Sequence, residues 1–210
     1  MRQAESLATS YAAQLQHVAD QMNQMTLSIA HAWQDAPKTI HLEQDQERGI
    51  YPNRYGFAIS ITDHAGRPVQ ASFRLEDIGN VSEQSFFTSH KNDCCLGMLI
   101  TGGKHGQLPG RSIVQFSRRI NHADGSFAGF VVISVTPEFM TSFQNEALPS
   151  NVDFISARLV GGQVLATRMG SGALDQLMVY SLDPGFYQTR GVIHETAQQF
   201  VDRRARYVAW

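Results

Sequence analysis

The chain has 210 residues, 42% of them apolar and 17% charged, a composition that supports a packed core and excludes a disordered polymer. Its 17 basic and 19 acidic residues nearly cancel, so no basic footprint for nucleic acid is present and any electrostatic selectivity must be local. No apolar run approaches the ~18 residues of a membrane span, and Met1-Arg2-Gln3 leads into polar sequence without the apolar core of a signal peptide.

Residues 2 to about 35 hold neither Pro nor Gly. Ala8, Tyr11, Leu15, Val18, Met22, Met25, Ile29 and Ala32 recur there in steps of three and four, the period of an amphipathic helix with a heptad seam. At ~1.5 Å per residue such a helix is about 50 Å long, longer than a small domain is wide. The seam has two readings: packing on its own domain, or parallel pairing with a second copy in a homodimer. Asp35-Ala36-Pro37 stops the helix, and Lys38 to Tyr55, polar with Gly49 and Pro52, reads as a connector with one helical turn.

Phe57 to Thr62 is a predicted strand, Asp63 to Arg67 a turn, and Val69 to Phe73 the returning strand. Ser82, followed by Glu83 and Gln84, reads as the N-cap of a short helix running to about His90. Leu96 to Thr101 is the next strand, and the glycine-rich residues 102–110 form a loop. Arg111 to Thr136, RSIVQFSRRINHADGSFAGFVVISVT, is then the centre of the chain, two long strands joined by a tight turn. Ser112, Val114, Phe116, Arg118 and Ile120 alternate with Arg111, Ile113, Gln115, Ser117 and Arg119, one row for each pleat face. Phe127 to Val135 is almost continuously apolar and rich in β-branched residues, and Asp124-Gly125 supplies the reversal. Two guanidiniums at the end of a core-like strand must face water, pair with acids or hold an anion.

Pro137 opens a short helix expected to reach about Ala147. A second strand pair follows, Phe154 to Val160 and Gln163 to Thr167, turning at Gly161-Gly162. His194 to Phe200 reads as helical, and Arg206 to Trp210 alternates as a strand without a visible partner. The class is α+β, with a long helix over residues 1–36, an antiparallel-sheet module over 37–147 and a smaller one over 148–210.

This order of elements resembles that of the tandem Cache sensor domains, PAS-like modules of bacterial transmembrane receptors. The resemblance is carried by Gly110-Arg111-Ser112-Ile113-Val114-Gln115-Phe116-Ser117-Arg118-Arg119-Ile120 followed by Asp124-Gly125-Ser126-Phe127-Ala128-Gly129-Phe130-Val131-Val132. It is similar to the membrane-distal module attached to diguanylate cyclases and sensor histidine kinases, where a strand ending in Ser-Arg-Arg and a Gly-x-Phe-x-Gly return strand recur. It is strongest from about 56 to 146, and Asp202 to Trp210 resembles a strand of the second module. The family commonly has Asp-Arg ahead of an aromatic pair, where this chain has Glu83-Gln84 ahead of Phe86-Phe87. The Arg-x-Trp-Tyr pattern of the amino-acid-binding branch is absent. The resemblance implies a periplasmic, membrane-tethered sensor of a small molecule, without cofactor or catalysis of its own and dimeric through its first helix, with a signalling enzyme on the cytoplasmic side. The alternative is a structural or dimerisation module whose pocket is filled by its own side chains.

In PAS-like sensors the ligand lies between the central sheet and the helix that crosses it. The walls are therefore expected from Phe86, Phe87 and His90 on the helix and from Phe116, Arg118, Phe130 and Val132 on the strands. Arg118 offers a planar fork for an anionic ligand group, or else it pairs with an acid such as Glu83 or Asp93. His90, Asp93, Cys94, Cys95 and His105 are of zinc-ligating types, but their spacing matches no standard zinc pattern and no metal is expected. Adjacent cysteines have Cα atoms ~3.8 Å apart, short of the usual ~4.4–6.8 Å of a disulfide. Gly102-Gly103-Lys104 lacks the spacing of a phosphate loop, and with no nucleophile elbow or paired-carboxylate motif no catalytic residue is assigned.

Overall fold

The computed structural model describes residues 2–52, 56–103, 113–141, 151, 153–159, 163–170, 172–173 and 191–210. The loop from Lys104 to Gly110, the continuation of the Pro137 helix past Thr141 and the Gly161-Gly162 turn lie outside the described residues. By its contacts the chain divides into two compact units, Ala19–Thr136 and a second formed by Met1–Val18 with Pro137–Trp210.

Helix α1 is Arg2–Asp35 and contributes to both units. It runs unbroken because nothing in it removes a backbone donor, and it ends where the Ala36 N–H reaches the Ala32 carbonyl (3.0 Å) and Pro37 opens a three-residue 3-10 turn. Tyr11, Val18, Met22 and Ile29 are buried within the chain, Met22 at 2% exposed. At these seam positions the helix packs on its own chain. Ala8, Leu15 and Met25 are half-buried and Ala32 is exposed. The connector that follows holds its one helical turn as α2, Leu42–Glu47.

The Ala19–Thr136 unit is built on a five-stranded antiparallel sheet. Its strands are β1 (Phe57–Asp63), β2 (Pro68–Ala71), β3 (Leu99–Gly103), β4 (Ile113–Asn121) and β5 (Phe127–Val135), in the order β2-β1-β5-β4-β3. Helix α3, Ser85–Asn92, precedes β3. It starts three residues after the expected cap: Ser82 is held in a turn by its N–H on Asn80 Oδ1 (2.7 Å) and Gln84 occupies the cap position. The β4–β5 hairpin turns at Gly125 (φ +82°), with the Gly125 N–H on the His122 carbonyl and the His122 N–H on the Ser126 carbonyl, both 2.9 Å.

Alternation gives the sheet two unlike faces. On one, Phe57, Ile59 and Ile61 of β1 lie beside Val131, Ile133 and Val135 of β5 and Val114, Phe116 and Ile120 of β4, all buried. Arg118 projects into that apolar field from the middle of the row. The other face carries Phe130 and Val132 but also Ser60, Thr62, Gln115, Ser117, Ser134 and Arg119. Continuous hydrophobicity in β5 and near-complete burial of β4 thus reflect cover on both sides rather than one buried row.

In the other unit, Tyr11 donates from its hydroxyl to the Met140 carbonyl (3.1 Å) in α4, Pro137–Thr141. Strands β6 (Phe154–Arg158), β7 (Val164–Met169) and β8 (Gly172–Ala173) form one small sheet, β9 (Val192–Glu195) and β10 (Arg206–Ala209) another. Two expectations change here. Residues 194–200 are not a helix, and Arg206–Ala209 does have a partner, because Val192–Glu195 pairs with it in antiparallel register. Between them Phe200 is fully buried beneath the Arg206 guanidinium, 4.7 Å from the ring centre, and Arg206 also binds Asp202 (2.5 Å). That anchor bends the intervening chain into a single 3-10 turn.

The two glycines of the Gly-x-Phe-x-Gly segment have different causes. Gly125 makes the turn. Gly129 (φ +141°) sits opposite Asp63 and Ile120, beside the register shift between Ile120 and Asn121, and a Cβ there would lie 2.0 Å from the Thr62 carbonyl oxygen. Backbone would have to move to admit it. Gly129→Ala is expected to destabilise the fold by at least about 2 kcal/mol in urea titration, whereas Gly49→Ala, with open space around the site, pays only for its backbone angle.

Candidate functional site

Ser117, Arg118 and Arg119 follow one another on β4 and so point to alternate faces. Ser117 Oγ and His90 Nε2 share a 2.9 Å hydrogen bond, both residues fully buried. Arg119, on the same face, donates from Nη1 to the His90 and Lys91 carbonyls of the last turn of α3, the latter at 3.0 Å, and from Nε to Asn121 Oδ1 at 2.5 Å. Its guanidinium also lies 4.9 Å from the centre of the Phe127 ring. Carbonyls at a helix end have no partner within the helix, and a cation is the group best suited to satisfy them. Arg118 goes the other way, donating from Nε to Thr26 Oγ1 (3.2 Å) and from Nη2 to Asn23 Oδ1 on α1.

The residues expected to wall a ligand pocket are therefore divided. Phe86, Phe87, His90, Phe130 and Val132 come together: Phe86 and Phe87 meet Phe130 edge-on at 5.3 and 5.9 Å, and His90 stacks over Phe130 at 6.2 Å. Phe116 and Arg118 do not join them, since they stand on the opposite face of the sheet. Parity along a strand shows which residues share a row, and Phe130 and Val132 pair across the hairpin with Arg119 and Ser117, not with Arg118 and Phe116. Nor does Arg118 bind Glu83 or Asp93; its partners are an amide and a hydroxyl of α1.

The aromatic group under α3 is packed, its four apolar members each at most 5% exposed. Beyond it the same face turns polar. Thr101 of β3 pairs with Gln115 of β4, and Gln115 with Ser134 of β5, so three neighbouring strands set hydrogen-bonding side chains in one row at the ~4.8 Å spacing of the sheet. Gln115 and Ser134 are buried at 8% exposed. Thr101 Oγ1 is buried with no hydrogen-bond partner among the described residues. Buried polar groups are normally satisfied, at a cost of about 1–3 kcal/mol where they are not, so a row of them beside an aromatic wall has the composition of a small-molecule site. Sequence reasoning missed this row. Counting equal steps outward from Asp124 and Gly125 would have set Gln115 opposite Ser134.

Of the other groups singled out in the sequence, His90 is committed to Ser117. Asp93, Cys94 and Cys95 lie together and exposed just after α3, and His105 is outside the described residues.

No protein-family profile and no curated protein matches the chain. Solved structures do. The extracellular domain of rpHK1S-Z16, assigned as a histidine kinase, is 20% identical with a TM-score of 0.76, the match covering 98% of this chain and 86% of that one. The periplasmic sensory domain of the Campylobacter jejuni chemoreceptor Tlp1 is 13% identical with a TM-score of 0.63, over 98% of this chain and 87% of that one. The ligand-binding domain of the Pseudomonas aeruginosa PAO1 amino-acid chemoreceptor PctC, in complex with GABA, is 13% identical with a TM-score of 0.56, over 77% and 73%. The chain shares its fold with these extracellular and periplasmic sensory domains of a histidine kinase and of chemoreceptors.

Two consequences of this geometry are measurable. Burial pulls the His90 imidazole down to about 4; the Ser117 backbone opposes that shift, and the Arg119 and Arg118 charges add to it. The unfolded chain protonates His90 near ~6.5, so its stabilising contribution is full above that pH and is lost as pH falls toward 4. Urea midpoints should drop between pH 7 and pH 4.5 in the wild type and drop less in His90→Gln. Arg118→Ala, by leaving Asn23 and Thr26 without their donor, is expected to lower stability by about 1.5–3 kcal/mol at pH 7, read by the same titration.

Proposed function

We propose that this chain is the extracytoplasmic ligand-sensing domain of a membrane-bound signalling receptor, of the histidine kinase or diguanylate cyclase type, and that its ligand is a small hydrogen-bonding molecule seated on the Thr101–Gln115–Ser134 row. The observation that carries this is the contrast between the two faces of one sheet: an apolar face against which polar atoms are placed sparingly, and a face where three adjacent strands bury polar side chains. A sheet that needed only a core would repeat the first face on the second. Phe86, Phe87, His90, Phe130 and Val132 form the aromatic wall beside the row. Among the described strand residues of that face the one cation is Arg119, and its donors are already engaged within the chain. Those donors go to α3 through Nη1, to Asn121 through Nε and to the Gly125 carbonyl through Nη2, which supports an uncharged or zwitterionic ligand over the purely anionic one that Arg118 would have suited.

No described helix is long and apolar enough to cross a membrane; membrane tethering of the whole receptor is part of the proposal. A homodimer through α1 belongs to the same reading. Because Tyr11, Val18, Met22 and Ile29 are sunk in the chain's own core, its contact would use the outward side of the helix, where Leu27 is exposed.

A thermal-shift screen over amino acids, small amides and small carboxylates tests the sensing role. A ligand at 100 times its dissociation constant should add about 2.7 kcal/mol of stability, and Gln115→Leu should remove that gain while leaving the unliganded domain as stable as before. If no compound stabilises the wild type and Gln115→Leu and Ser134→Val each lose stability, the row is satisfied from within and the domain is a structural module.

A further inference from the structure

We infer that Asp93, Cys94 and Cys95 form a chelating site for a soft divalent metal ion of the zinc and cadmium class. This stands apart from the polar row on the sheet and does not depend on it. The three residues follow directly on α3, where Asp93 caps the helix with its N–H on the Ser89 carbonyl (3.1 Å) and takes the Cys95 N–H on Oδ1 (2.9 Å). That short turn turns both thiols to the same side, Sγ to Sγ 3.3 Å, both exposed. The Asp93 carboxylate is within 4.8 Å of both sulfurs.

Two fates are open to such a pair, and the distances separate them. A disulfide needs the sulfurs at ~2.0 Å and Cα atoms at least ~4.4 Å apart, while a trans peptide holds neighbouring Cα atoms at ~3.8 Å. Closing the bond would draw the sulfurs together by more than ~1 Å and distort the peptide between them. A chelated ion asks less. Two metal–sulfur bonds of ~2.3 Å at a tetrahedral angle set the sulfurs about 3.8 Å apart, so the side chains open by roughly half an ångström by ordinary rotation about their exposed bonds. On binding, the two Sγ–H protons pass to solvent and the ion is held by two thiolates and one carboxylate oxygen, with no change of oxidation state. The thiolates select a soft ion over magnesium or calcium. His90, the nearest nitrogen donor in sequence, is buried on Ser117, so water completes the coordination and the ion remains open to solution.

The test is equilibrium dialysis of the fully reduced chain against cadmium ion without oxygen, with the ultraviolet thiolate-to-metal charge-transfer band as a second readout. One cadmium per chain with that band is expected. Affinity should fall by at least about 100-fold in the Cys94→Ser, Cys95→Ser double variant and by about 10-fold in Asp93→Asn. All three side chains are exposed, so the metal-free melting curves of the variants should match the wild type; they report separately on folding. Cadmium uptake by the double serine variant as tight as that of the wild type would overturn the assignment, as would uptake without the charge-transfer band. Closure of the pair to a disulfide by oxidised glutathione while equimolar cadmium is present would overturn it too.

Discussion

Three consecutive residues of β4 fasten helices to both faces of the central sheet. Ser117 and Arg119 hold α3 through a side chain and two carbonyls, and Arg118, pointing the other way, holds the C-terminal half of α1 through Asn23 and Thr26. A strand can do this because its side chains alternate. The two guanidiniums need no acid to do it. A hydrogen bond with one charged partner contributes about 1.5–3 kcal/mol, and the guanidinium fork lets one residue reach several acceptors at once. Removing Arg118 would loosen α1 and leave the contacts of α3 intact, and removing Ser117 or Arg119 would loosen α3 and leave those of α1.

Much of the remaining architecture follows from that fastening. With α1 on one side and α3 on the other, β4 and β5 are covered twice, which is why β5 is apolar almost throughout. α3 in turn brings Phe86, Phe87 and His90 down onto Phe130 and Val132. It covers only part of its face, and the row Thr101, Gln115, Ser134 lies beyond that aromatic group. Polar side chains there are more than an apolar core requires, and under the proposed function a recognised molecule would find in them hydrogen-bonding partners beside an apolar wall.

The elements themselves were largely legible in the sequence. A proline-free and glycine-free run gave α1, and Asp124-Gly125 between two apolar alternating stretches gave the β4–β5 hairpin, because both signals are local. What failed was information that local signals do not hold. Alternation sorted Arg118 from Arg119 but could not say which helix waits on which side, so Phe116 and Arg118 were grouped with the wrong face. Residues 194–200 carry a helical pattern, yet Phe200 under Arg206 and the pairing of Val192–Glu195 with Arg206–Ala209 override it, an outcome of contacts between distant residues. Ser82 has the residue type of a helix cap, but Asn80 holds its N–H in a turn and the helix begins after Gln84. Gln115 and Ser134 are single polar residues within apolar strands, and which strand neighbours they meet is set by register rather than by local pattern.

The absence of a carboxylate from the Arg118 and Arg119 contacts has a consequence for how the fold responds to its surroundings. Ion pairs at the surface, such as Arg67–Asp63 and Arg74–Asp77 with their arginines more than 60% exposed, weaken as dissolved salt screens them, over a distance that shrinks from ~30 Å at 0.01 M to ~3 Å at 1 M. A half-buried guanidinium bound to carbonyl, amide and hydroxyl oxygens at hydrogen-bond range offers mobile ions little room to intervene. The attachment of the helices on both faces of this sheet should therefore depend on dissolved salt less than the loops that carry the exposed pairs do.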